Sequence, residues 1–246
     1  MTTANSILVE TGAEILKALR APEFIVPTLI FPVAFYSLFG IVLSQGAGSA
    51  SYLLATYGTF AVMGPSIFGF GVAVANERER GWLDLKRAAP APAISYITAK
   101  VITTLIFASI AVALVHAVAG FAGGVALPRT VWATLLGVHI VSTLPFILIG
   151  LTVGFMFRTN GAVALANLLF MMMAVLGGLW IPITVFPPIM QEIANYLPSF
   201  HLAEIALDVI DAPGTRDLQA SLTAVMVMTF ILSIITLFAW RLQKSA

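Results

Sequence analysis

The sequence predicts an all-α, polytopic membrane protein with six transmembrane helices, and three observations predict it. Phe24–Asn76 runs for 53 residues without a charged side chain, and four further charge-free stretches of 23 residues or more follow, at Val101–Pro128, Thr130–Phe157, Thr159–Gln191 and Leu218–Trp240. A helix needs about 20 apolar residues to cross the hydrocarbon, so the first run suffices for two crossings and each later run for one. Composition agrees, because 60% hydrophobic residues against 9% charged leaves too little polar surface to disperse this chain in water. The runs are unbroken rather than alternating, which excludes barrel strands and leaves helices to satisfy the backbone inside lipid. With no cysteine in the chain, disulfides are excluded.

Taken in order, residues 1–22 read as an amphipathic helix on the inner membrane surface, with Leu8, Ile15 and Leu19 on one face and Glu10, Glu14 and Lys17 on the other. Those charges run through the middle of the segment, so it does not read as a cleaved leader. The spans are expected near 23–43, 52–75, 97–120, 131–156, 162–181 and 219–240, and together they form one transmembrane domain over 1–246. Ser44–Ser49, small and polar, reads as the turn between the first two spans. After span five, Pro182, Pro187, Pro188 and Pro198 cut residues 182–218 into short pieces that read as external helices, with His201 solvent-exposed. Spans two and five are interrupted by Gly64-Pro65, Gly69 and Gly71, and by Gly177-Gly178 with Pro182. Such interruptions suit either a binding site made from broken helices or close helix packing.

Basic residues sort to one side of these spans: 10 of the 12 precede span one, separate spans two and three or four and five, or follow span six, and Arg129 and Arg216 fall on the other side. By the positive-inside rule both termini are cytoplasmic, in a plasma (inner) membrane.

Several function classes are disfavoured by what is missing. No Asp, Glu, Lys or Arg lies near the middle of a predicted span, so there is no evident site for a coupling ion. A phosphate-binding loop of the form G-x-x-x-x-G-K-[ST] is also missing, so energy for uphill transport has to come from another subunit. His116 and His139, in spans three and four, have no Cys or carboxylate at metal-ligand spacing and read as hydrogen-bonding groups. Catalytic and metal-binding residues are therefore not expected, nor is nucleic acid as a partner; membrane lipids are.

The cytoplasmic loop that starts at Asn76 alternates charges of both signs through Glu77-Arg78-Glu79-Arg80-Gly81 and then turns apolar at Trp82, Leu83 and Leu85. Positive-inside topology explains the arginines but not Glu77, Glu79 and the apolar triplet, which suggest a short amphipathic helix for a protein partner. Glu77-Arg78-Glu79-Arg80-Gly81, Leu83, Leu85, Pro90 and Lys100 resemble the cytoplasmic loop of the ABC-2 type transporter permease family, from which Trp82 departs by standing where many relatives carry a small polar residue. Gly177-Gly178-Leu179-Trp180-Ile181-Pro182, Phe186-Pro187, Leu197-Pro198 and His201-Leu202-Ala203-Glu204 are similar to that family's segment at the end of span five and after it.

The resemblance implies the membrane subunit of an ABC exporter, paired with a second copy or homologue and docked to two ATP-binding subunits that carry ATP and Mg; no cofactor is expected on this chain. Glu77, Arg78, Glu79, Arg80, Gly81, Trp82, Leu83 and Leu85 would form the coupling helix, and Gly178, Trp180, Pro182, His201 and Glu204 the pathway or external gate. The cargo expected is an amphipathic or lipid-like compound. A secondary transporter or channel without an ATPase, or a membrane assembly protein, are the competing readings.

Overall fold

A computed structural model describes residues 3–43, 46–82, 85, 93–215 and 217–245, and these are helical with no strand among them. Helix α1 is Thr3–Leu19. Helix α2, residues 22–42, winds alternately as α and π, with π stretches at Val26–Ile30 and Ser37–Val42. Helix α3, Gly48–Glu79, contains a third π stretch at Ile67–Val72, directly after Pro65. Proline has no N–H and its ring crowds the carbonyl four residues back, so the ladder rewinds with a wider turn instead of breaking. Next come α4, Ala93–Phe121, and α5, Arg129–Met156, which is jointed at Ser142. Helix α6 is Thr159–Leu176, α7 Pro188–Ala194, α8 Pro198–Val209 and α9 Leu218–Ser245.

Among the described residues, five helices are long and apolar enough to cross a membrane: α3, Ser95–Phe121 of α4, α5, α6, and Leu218–Leu242 of α9. The apolar part of α2, Val26–Val42, is shorter than these, because Glu23 bounds the run at one end and the polar Ser44–Ser49 segment at the other. Helix α3 is the axis of the bundle, with 78% of its apolar window buried against 11% for α9, and α2, α4, α5, α6 and α8 all pack on it.

Close approach is possible because the interruptions of span two are contact points between helices. A Cβ at Gly64 would lie 3.1 Å from Thr28 Cα on α2, and one at Gly154 of α5 would lie 2.9 Å from the Gly71 carbonyl. At Gly150 the added carbon would stand 2.5 Å from Ser66 O, so α3 and α5 touch backbone to backbone, the geometry small residues permit in membranes.

Three sequence expectations change. Span five ends at Leu176 rather than 181, because Gly178 adopts φ +72° and closes a Schellman motif: Leu179 N–H donates to Ala174 O and Gly178 N–H to Val175 O, each at 3.1 Å. His201 is 8% exposed rather than solvated, and Pro198–Leu207 are all buried, since α8 packs on α3, α5, α6 and α9. Finally, α1 turns its polar face inward. Glu14 is buried against the bundle, whereas Leu8 and Leu19 are 71% and 59% exposed.

Candidate functional site

The last turn of α3 brings three consecutive charged side chains to three different places. Glu77 turns into the bundle, 5% exposed, and meets two lysines and a phenol. Lys100 Nζ of α4 donates to Glu77 Oε1 at 3.1 Å and to Glu14 Oε2 of α1 at 2.7 Å. Lys17 of α1 pairs with Glu77 and, at 3.1 Å, with Glu14, while Tyr96 O–H donates to the second oxygen of Glu77. Two carboxylates and two ammonium groups balance, which is the condition under which buried charges are tolerated. In Lys17 burial works to lower the pKa, but attraction and hydrogen bonding from Glu77 and Glu14 outweigh it and the pKa is raised. Its ion pairs therefore keep their full contribution below the ordinary lysine value of 10.5 and lose it only as pH rises through the raised one.

Arg78 points the other way, along the end of α5. Its guanidinium donates to the carbonyls of Phe155 and, at 2.6 Å, Phe157. Helix ends leave such carbonyls without partners and favour a positive charge beside them. Glu79 then reaches the next helix, where its Oε2 accepts the Thr159 N–H at 3.0 Å and so caps the first turn of α6, whose own N-cap residue Arg158 supplies no side-chain bond. One turn of α3 thus ties down α1, α4, the end of α5 and the start of α6.

Beyond Glu79 the chain turns outward. Gly81 takes φ +72° and its N–H donates to Arg78 O at 3.1 Å, ending the helix. Arg80 is exposed, and Trp82 and Leu85 are 50% and 70% exposed. Leu83 lies outside the described residues. The residues expected to act together as a coupling helix are therefore divided: Glu77 and Arg78 hold the bundle together, Glu79 caps α6 from the surface, and Arg80, Trp82 and Leu85 face outward. Glu77, being buried and paired, offers no surface to a partner. Glu14, Tyr96 and Lys100 are the members that sequence reasoning missed as a group. The available signal was the opposite sign of Glu77 and Lys100 at adjoining ends of neighbouring spans.

At the opposite end of the bundle, Trp180 and Pro182 line a cavity of about 690 Å³ together with Phe39, Tyr52 and Asp211. Trp180 stacks on Phe35 at 5.2 Å and meets Phe60 edge-on at 5.5 Å, and its indole N–H is buried without a hydrogen-bond partner. Gly178 holds the turn that leads into this wall. His201 and Glu204, by contrast, are buried within α8; His201 Nε2 donates to Asn195 O at 2.9 Å, and neither residue lines this cavity. His139 crosses between helices, donating through Nε2 to Ala55 O of α3 at 2.9 Å with its ring packed where a Gly58 side chain would stand. No group of three or more potential metal ligands occurs among the described residues.

An all-helical bundle with several membrane-length spans, locked at one end by a charged hub and lined by aromatic side chains around a cavity at the other, fits a multi-pass membrane protein. The model of the ABC-2 type transporter family matches residues 5–210, so the chain belongs to that family. It is 31% identical over 212 residues to the "Putative transport permease YvfS" of Bacillus subtilis (strain 168), a match that covers 84% of this chain and 86% of that one.

Proposed function

We propose that this chain is the membrane-spanning subunit of an ATP-driven exporter that moves an amphipathic or lipid-like compound, of the drug, lipid or glycan class. It acts as a dimer with a second copy or homologue, docked to two ABC ATP-binding subunits that carry ATP and Mg. In this reading α2 completes six spans, α1 lies at the membrane surface with Leu8 and Leu19 toward lipid, and both termini are cytoplasmic in the plasma membrane.

The observation that carries the proposal is the division of labour within residues 77–85. Arg80, Trp82 and Leu85 are presented outward on a turn whose root, Glu77–Glu79, is fastened to four other helices. A push on that turn by an ATP-binding subunit would move the ends of α1, α4, α5 and α6 together, which is what a coupling element has to do. Export would then follow by alternating access or a lateral gate, with Trp180 and Pro182 at the outer mouth and no covalent chemistry on this chain. Purifying the chain with its native neighbours, and assaying ATP hydrolysis against candidate cargo, tests this. The proposal expects hydrolysis that responds to cargo and loses that response in Leu85→Asp. Accumulation driven by an ion gradient with the ATP-binding subunits removed would favour a secondary transporter.

A further inference from the structure

We propose that the aromatic cavity at the end of the bundle away from the charged hub binds an organic cation with an apolar body, and that Asp211 selects its positive charge. As a statement about cargo this rests on the exporter reading, whereas binding to the cavity belongs to the chain alone. At about 690 Å³ the cavity has the size of a site for a drug-sized molecule. Phe39, Tyr52 and Trp180 give it aromatic walls, Leu43 and Leu53 add apolar surface, and Asp211 is the one charged group among its described lining residues. Aromatic faces attract cations through the ring quadrupole, and the apolar surface beside them takes up a hydrocarbon body. Glu204, buried in α8 and outside the lining, bears electrostatically on Tyr52, so negative charge reaches the cavity from a second position.

The fold itself has no use for a carboxylate at position 211. Asp211 follows the last turn of α8 in a left-handed conformation, φ +52°, where its N–H donates to Asp208 O and the Ala212 N–H to Leu207 O, each at 3.0 Å. At the other described positions of positive φ, Gly46, Gly81, Gly124, Gly178 and Gly214, the chain places glycine. A side chain there carries a steric cost, and a negative charge at the end of a helix opposes the helix dipole. Asp208, three residues earlier, adds like-charge repulsion. Nothing nearby offsets these effects, because the Asp211 carboxylate makes no hydrogen bond or ion pair among the described residues. Asp211 is exposed, so an incoming ligand reaches it. A phospholipid would set its phosphate against this carboxylate and the carbonyl end of α8, whereas an organic cation relieves both and lays its apolar body on the rings. A residue kept where the backbone disfavours it, with its charge at the rim of an aromatic cavity, is accounted for by such a ligand.

The test is equilibrium binding of radiolabelled tetraphenylphosphonium to the purified full-length chain in phosphatidylcholine nanodiscs, with empty nanodiscs as the blank. The expected result is saturable binding that Asp211→Asn weakens about fivefold, as loss of a partly exposed ion pair requires. The melting temperature of that variant should stay the same or rise, because asparagine suits a left-handed cap and removes the charge from the helix end. Raising the ionic strength to about 1 M, where the screening length is ~3 Å, should weaken binding to the parent and bring it close to the variant. Phe39→Leu, which removes an exposed ring, should also weaken binding, and uncharged triphenylphosphine oxide should compete far less well than unlabelled tetraphenylphosphonium. Equal affinity in parent and Asp211→Asn, or equal competition by the uncharged compound, would overturn the proposal. A clear fall in the melting temperature of Asp211→Asn would do the same, by giving the carboxylate a structural role. Binding as expected, without stimulation of ATP hydrolysis in the assembled complex, would confirm the site and count against the exporter reading instead.

Discussion

Lys100 is the residue on which the hub depends most. It is 2% exposed and bonds both carboxylates, so Lys100→Met would leave Glu14 and Glu77 facing each other with only the half-exposed Lys17 between them. Removing one partner from a buried ion pair costs about 3–5 kcal/mol, and thermal unfolding of the detergent-solubilised chain should show a loss of that size. A stability equal to the parent's would mean that the four charges are solvated rather than buried. Gly58 makes a second prediction at this scale. A methyl group there would collide with the His139 ring, so Gly58→Ala should destabilise strongly in the parent but much less in a His139→Ala background. A double-mutant cycle reads the difference, and strict additivity would place the ring elsewhere.

At the scale of elements, the start of α6 depends on a side chain borrowed from α3. Glu79→Gln should weaken the cap, seen as faster amide exchange in the first turn after Arg158, with the rest of α6 unchanged. Glu79→Lys should be worse, since it places a positive charge at a helix N-terminus. Unchanged exchange in both variants would remove Glu79 from the cap. How far the sequence could foresee these elements depends on the kind of signal. The apolar runs of α3, α4, α5, α6 and α9 were legible because a membrane span leaves a long charge-free record. The short stretch Pro198–Val209 was legible as a helix, but its burial was not, because that comes from the four helices packed around it. The charges of Glu77, Arg78 and Glu79 were legible as a motif, but not their destinations. Which helix end lies beside α3 is a property of the tertiary fold, whereas Gly178 could be read as a break and proved to be a left-handed cap.

For the whole molecule, orientation and coupling are linked. If both termini are cytoplasmic, reporter fusions at Ala47 and Gly123 should read external and fusions at Ala89 and Ala246 cytoplasmic, as the distribution of basic residues requires. An external reading at Ala89 would put the exposed turn on the wrong side for any ATP-binding subunit. The central claim is narrower: residues beyond Glu79 touch that subunit while Glu77–Glu79 pass the movement inward. The chain contains no cysteine, so Leu85→Cys would introduce a single thiol at a position 70% exposed on the outward turn. Cross-linking from that thiol in the assembled complex is the most direct measurement. The account predicts a product between this chain and an ABC ATP-binding subunit, with a yield that changes when nucleotide is added. A complex that co-purifies intact with its ATP-binding subunits yet gives no such product from position 85 would contradict it.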